Sequence, residues 1–257
     1  MRKPMLAIIG GSGLSSLDSF EQVQEKAIKT PYARARVRVN LFTLGDTQFA
    51  FLPRHGKKHA IPPHKVNYRA NIWALSSIGV KQIVAINAVG GIHDKLGPGS
   101  FAVPDQLIDY SFGRDGTFFE TGLNQVTHID FSHPYTETLR QQLLHAVNHV
   151  NKQAKIQRAL MDGGVYACTQ GPRLETAAEI QRLQRDGCAM VGMTGMPEAA
   201  LARELDIAYA CLALSVNWAA GLAEELISLD EIHRVLAQGM DFVLAVLEQV
   251  VKESASA

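Results

Sequence analysis

The sequence is short of cysteine, of net charge and of long apolar runs, and each shortage closes off a class of function. Only Cys168, Cys188 and Cys211 occur in 257 residues, too few and too widely spaced for a disulfide framework or a four-cysteine zinc site. They read as reduced core thiols, and a reducing cytoplasm is the expected location. Lysine plus arginine number 25, as do aspartate plus glutamate, so no strong overall field gathers polyanions and a dedicated nucleic-acid binder is not expected. No apolar run approaches the length that spans a bilayer. Only the five residues 5–9 form an apolar stretch ahead of Gly10-Gly11, too few for the hydrophobic region of a signal peptide.

What remains is a composition of 47% hydrophobic and 19% charged residues, enough to bury a real core. No internal repeat, low-complexity tract or Pro/Ser-rich linker divides the chain. A single domain over 1–257 is expected, with 252–257 compositionally tail-like.

Continuous apolar runs that stop at glycines or polar residues mark buried strands at 5–9, 82–86, 159–161 and 207–214. The spacing of apolar residues at three and four predicts helices over 67–78, 136–150, 175–186, 197–205 and 229–251. Alternating residues at 34–39, then 42–44 and 49–52, predict an antiparallel hairpin. Strands alternating with helices imply an α/β three-layer sandwich, its central sheet mixed but mostly parallel and flanked by helices.

Several segments could carry chemistry. Gly10-Gly11-Ser12-Gly13 follows a strand, where glycine lets backbone amides approach an anion; a plain tight strand exit is the blander alternative. Position 16 is Ser16, so the third glycine of a dinucleotide fingerprint is missing, and no Walker lysine follows. Arg54 and His55 open a cationic stretch from 53 to 69 that is either a solvated basic loop or an anion site with the planar fork of Arg54 at its centre. Thr194, just ahead of a predicted helix, either caps that helix or donates to an anion. Met193 is ordinary core or lies against a sugar face. Asn217 closes the last long strand, where open α/β sheets place ligand groups. Glu175, taken by itself, is an ordinary helix-start carboxylate. No order of residues points to a hydrolase triad or a metal motif.

Taken together, six motifs are specific: Ile8-Ile-Gly-Gly-Ser-Gly-Leu14, Arg54-His55-Gly56, His64-Lys-Val-Asn-Tyr68 with Ala70-Asn-Ile-Trp-Ala-Leu75, Gly97-Pro-Gly99, Gly171-Pro-Arg173, and Gly192-Met-Thr194 followed by Met196-Pro-Glu198. Over nearly its whole length the chain resembles the trimeric purine nucleoside phosphorylase and methylthioadenosine phosphorylase family. The resemblance implies that phosphate attacks the anomeric carbon of a purine nucleoside and releases the base. It implies that Ser12, Arg54, His55, Asn87, Ala88 and Thr194 hold phosphate and that Met193 packs on the ribose. It also implies a homotrimer in which the stretch around His128 reaches a neighbour's 5′ pocket, and it calls for neither metal nor organic cofactor. With phosphate beneath a positively charged sugar, Asn217, Arg54 and His55 are the expected catalytic groups.

Substrate choice follows from departures within that family. The methylthioadenosine branch has Asp-x-Asp after the last strand and a serine after Gly-Pro-Arg-Phe; here Asn217 and Ala219, and Leu174-Glu175, stand at those places. Asn217 can accept from a protonated N7 and donate to a 6-oxo group, while Glu175 accepts N1–H of hypoxanthine or guanine and meets a lone pair on adenine. At the other end, alignment puts Leu229 where the purine nucleoside branch has a histidine for the 5′-hydroxyl, with Ile232 three residues on along the same face, which favours an apolar 5′ group. S-methyl-5′-thioinosine is therefore the expected substrate. Methylthioadenosine, inosine or guanosine, and a non-catalytic nucleoside or phosphate sensor, are the alternatives.

Overall fold

Two glycine-terminated strands, β1 (Met5–Gly10) and β5 (Val80–Gly91), lie parallel in the middle of the molecule. A computed structural model describes residues 5–14, 17 and 19–256; Met1–Pro4, Ser15, Ser16, Asp18 and Ala257 lie outside them. β1 also pairs in parallel with β4 (Thr47–Pro53), which continues antiparallel to β3 (Ala33–Leu44) and then β2 (Glu21–Thr30). On its other edge β5 has one partner among the described residues. For most of its length it pairs in parallel with β11 (Ala208–Trp218), whose far edge carries β6 (Phe101–Val103) and β8 (Leu160–Asp162). On the β1 edge, past the end of β1, Gly90 and Gly91 of β5 meet β10 (Cys188–Gly192), followed by β9 (Val165–Cys168) and β7 (Gln106–Asp109). Six of these pairings are parallel and four antiparallel, so the expected mixed, mostly parallel sheet is present.

Alternation of side chains divides the core into two layers. Along β11, Ala210, Leu212, Leu214 and Val216 face α2 (Glu137–Gln153) and α5 (Leu229–Ser256), while Tyr209, Cys211 and Ala213 face α1 (Tyr68–Ser77) and α4 (Glu198–Glu204). Because both faces are covered, the strand reads as one continuous apolar run. A smaller cluster packs α3 (Ala177–Arg185) on the β9–β10 branch through Ile180 and Leu183.

Local chemistry sets the helix starts. The Asn67 side chain accepts from the Ala70 amide, and Thr176 with Glu179 forms a reciprocal capping box on α3. α4 begins after Pro197 with no side-chain cap, so the capping reading of Thr194 is not what the fold uses. The strand expected over 34–39 and 42–44 is one unbroken β3, and α5 continues through residues expected to be tail-like as far as Ser256. All three cysteines are buried and unpaired. Among the described residues no helix is long and apolar enough to cross a membrane.

Candidate active site

The carboxyl ends of β1, β4, β5, β10 and β11 surround a cavity of about 560 Å3. It is lined by Ser12, Arg54, His55, Asn87, Ala88, Leu174, Glu175, Met193, Thr194, Asn217, Ala219 and Ile232, among others. Segments spread over most of the chain thus converge because most lie in or just past the carboxyl-terminal part of a strand of the same sheet.

At the polar end the backbone comes close enough to demand glycine. A Cβ on Gly11 would stand 2.4 Å from the Ile86 carbonyl oxygen and 3.0 Å from Arg54 Nη1, and Gly13 has a φ of +80°. Arg54 is fully buried beneath this loop. Its Nε donates to Glu198 Oε2 and its Nη2 to Oε1, both at 2.7 Å, and Nη2 also donates to Asn87 Oδ1 at 3.0 Å. Tyr209 donates its hydroxyl to Glu198 Oε1 at 2.8 Å. Burial works against the guanidinium charge, but the Glu198 carboxylate more than offsets this and raises the Arg54 pKa above its ordinary value.

His55 is buried beside it. Burial, then the Arg54 charge, pushes its pKa down to about 4. The ring nitrogen Nδ1 lies 2.7 Å from the Ile61 carbonyl oxygen; a carbonyl only accepts, so Nδ1 carries the proton and Nε2 of the neutral ring is an acceptor. His59 packs against His55 with ring centroids 4.5 Å apart, and its Nε2 lies 3.4 Å from Ser12 Oγ. Thr194 is buried at the same end.

At the opposite end sit a carboxylate and an amide. Thr169 donates its hydroxyl to Glu175 Oε1 at 2.7 Å. A register irregularity in the β11–β5 ladder between Ser215 and Asn217 re-aims Asn217 at the strand end. Its Nδ2 donates to the Trp218 carbonyl at 2.7 Å, which fixes the amide plane and leaves Oδ1 and one N–H for a ligand. A third wall is apolar and comes from Ile227 and Ile232, the latter in the first turn of α5.

With this geometry in place, comparison with known proteins is decisive about kinship. The model of the phosphorylase superfamily matches residues 5–252. The chain belongs to the phosphorylase superfamily. Among curated relatives of this superfamily, the Pseudomonas syringae protein named "Probable S-methyl-5'-thioinosine phosphorylase" is 53% identical over 96% of this chain and 98% of its own. The "6-oxopurine nucleoside phosphorylase" of Pyrococcus furiosus is 39% identical over 97% and 94%. A solved superfamily structure, methylthioadenosine phosphorylase from Schistosoma mansoni in complex with adenine, superposes with a TM-score of 0.92 at 32% identity, covering 99% of this chain and 93% of that one.

Two of the residues singled out from the sequence lie away from the cavity wall. Leu229 is the first residue of α5 and is 65% exposed; the helix turns Ile232 inward instead, and Ile227 from the preceding loop completes the apolar wall. His128 is exposed in the loop between β7 and α2. Glu198, Tyr209, Thr169 and His59 were not singled out as site residues. Glu198 was visible only as the last residue of Met196-Pro-Glu198, and only the fold shows it beneath Arg54.

Proposed function

We propose that this phosphorylase cleaves S-methyl-5′-thioinosine with inorganic phosphate, giving hypoxanthine and 5-methylthio-D-ribose 1-phosphate. A phosphate oxygen forms a bond to C1′ as the C1′–N9 bond breaks; the departing purine keeps the bonding pair and takes up at N7, through solvent, the proton that hydrogenphosphate gives up. The observation that carries this reading is the joining, in one cavity, of Glu175 and Asn217 at the base end with the apolar Ile227 and Ile232 at another wall. Asn217 Oδ1 accepts from N7–H and its free N–H donates to the 6-oxo group; Glu175 accepts N1–H; the isoleucines leave a 5′-hydroxyl without a partner but seat a methylthio group.

At the phosphate end, Ser12, Arg54, Asn87, Ala88 and Thr194 hold the anion, His55 Nε2 accepts a hydrogen bond from its P–OH, and Met193 packs on the sugar. Phosphate placed there stabilises the positive charge that develops on the ribose. The reaction as written calls on no metal or organic cofactor. We further propose a cytoplasmic homotrimer, in keeping with the unpaired thiols and with the exposed loop position of His128, from which it would close a neighbour's cavity; light scattering at three times the chain mass tests it.

The functional test is a panel of methylthioinosine, methylthioadenosine, inosine and adenosine, each with phosphate. Preference for methylthioinosine is expected. Preference for methylthioadenosine overturns the base-site assignment, and failure of phosphate to release any base would leave a binding protein.

A further inference from the structure

The base end of the cavity has a neighbour that the proposed reaction does not use. Glu175 forms part of the wall between the large cavity and a second one of about 300 Å3, and Thr169 lines only the second. Thr169 therefore does not touch a molecule in the large cavity. Its hydroxyl has one proton and two acceptors within reach, Glu175 Oε1 at 2.7 Å and the Gly192 carbonyl at 3.3 Å. The shorter contact to the charged group is the stronger.

Thr169 is itself held on both sides of its peptide. Its amide donates to the Gly192 carbonyl at 2.8 Å, and its carbonyl accepts from Arg114 Nη2 at 3.1 Å. Glu175, by contrast, stands in a short irregular segment between Gly171-Pro172 and the cap of α3, with no helix of its own to orient it. A glutamate there has three side-chain torsions to settle, and an unanchored carboxylate would lose much of its directional preference for a ligand N–H.

We propose that Thr169 is a positioning residue for base selectivity: its hydroxyl anchors Glu175 Oε1, so that Oε2 is presented to the N1–H of a 6-oxopurine. The inference rests on the proposed oxopurine reading and deepens it. The carboxylate oxygen so presented accepts from N1–H of a 6-oxopurine and repels the N1 lone pair of a 6-aminopurine.

The test compares kcat/KM for methylthioinosine and methylthioadenosine in the native protein and in Thr169→Val, Thr169→Ala and Thr169→Ser. Loss of the hydroxyl in either of the first two should lower the oxo-to-amino ratio about tenfold, mainly through the KM for methylthioinosine, whereas serine should restore it. Either apolar variant suffices if the other fails to fold. In a Glu175→Gln background the valine substitution should change the ratio no further, which a merely structural role for Thr169 would not produce. A native protein that prefers methylthioadenosine overturns both this inference and the substrate reading beneath it. A native preference for methylthioinosine that survives unchanged in Thr169→Val and Thr169→Ala overturns the role of Thr169 alone.

Discussion

Arg54 and Glu198, separated by 144 positions, form a two-point ion pair with both side chains essentially excluded from solvent. The pair neutralises the guanidinium locally and fixes its plane, leaving Nη1 beside Gly11 at the anion end of the cavity. The charge of the arginine at the centre of the basic stretch is thus balanced from beneath, and the site relies on oriented donors as much as on net charge.

Replacing one member of such a pair leaves a buried charge uncompensated, at a cost of about 3–5 kcal/mol. Glu198→Gln is expected to lower the melting temperature by about 10 °C and to raise the KM for phosphate at least about tenfold. Thermal unfolding and phosphate titration check this; an unchanged melting temperature would show that the pair is not what holds Arg54.

Asn217→Asp replaces the free N–H by a second acceptor, which suits a 6-amino group and repels a 6-oxo group. The ratio of kcat/KM for methylthioadenosine over methylthioinosine should rise by about tenfold. The shift stays partial because Glu175 still faces the N1 lone pair. If the ratio does not move, Asn217 does not read the base.

Ile232→Asn puts a hydrogen-bonding group on the apolar wall. Discrimination in favour of methylthioinosine over inosine should fall by about tenfold, the scale of one apolar group in a pocket. Leu229→Asn, at an exposed position outside the cavity, should leave the ratio within about twofold. Paired measurements with both nucleosides distinguish the two positions.

The depressed pKa of His55 predicts acid sensitivity. Its ordinary value of 6.5 applies to the unfolded chain, while burial and then the Arg54 charge bring the folded value to about 4. Between these values the unfolded state binds the proton and the folded state does not, so the contribution is fully present above pH 6.5 and is lost as pH falls toward 4. The native protein should lose about 3 kcal/mol more than His55→Gln across that window. Urea unfolding at pH 7, 5.5 and 4 measures it, and parallel pH dependences in the two proteins would refute the assignment.

Much of the architecture was legible because it follows from short-range patterns. The runs at 5–9, 82–86 and 207–214 are apolar on both faces and became β1, β5 and β11, while all five helices lie where their periodicity put them, within a few residues at each end. β2 escaped because Glu21–Thr30 is largely exposed and mixes charged and polar residues with too few apolar ones to set a period. β9 and β10 escaped because runs of four or five residues do not separate strand from buried helix.

Most of the residues that line the cavity were likewise legible in the sequence, since a glycine loop, an arginine and a strand-end amide keep their chemistry wherever they are placed. What only the tertiary structure decided is pairing and aim: Glu198 beneath Arg54, the proton of His55 on Nδ1, Thr169 on Glu175, and Ile227 rather than Leu229 in the apolar wall. Each depends on distances between segments far apart in the chain or on the rotation of a helix about its axis, and neither quantity is encoded in local spacing.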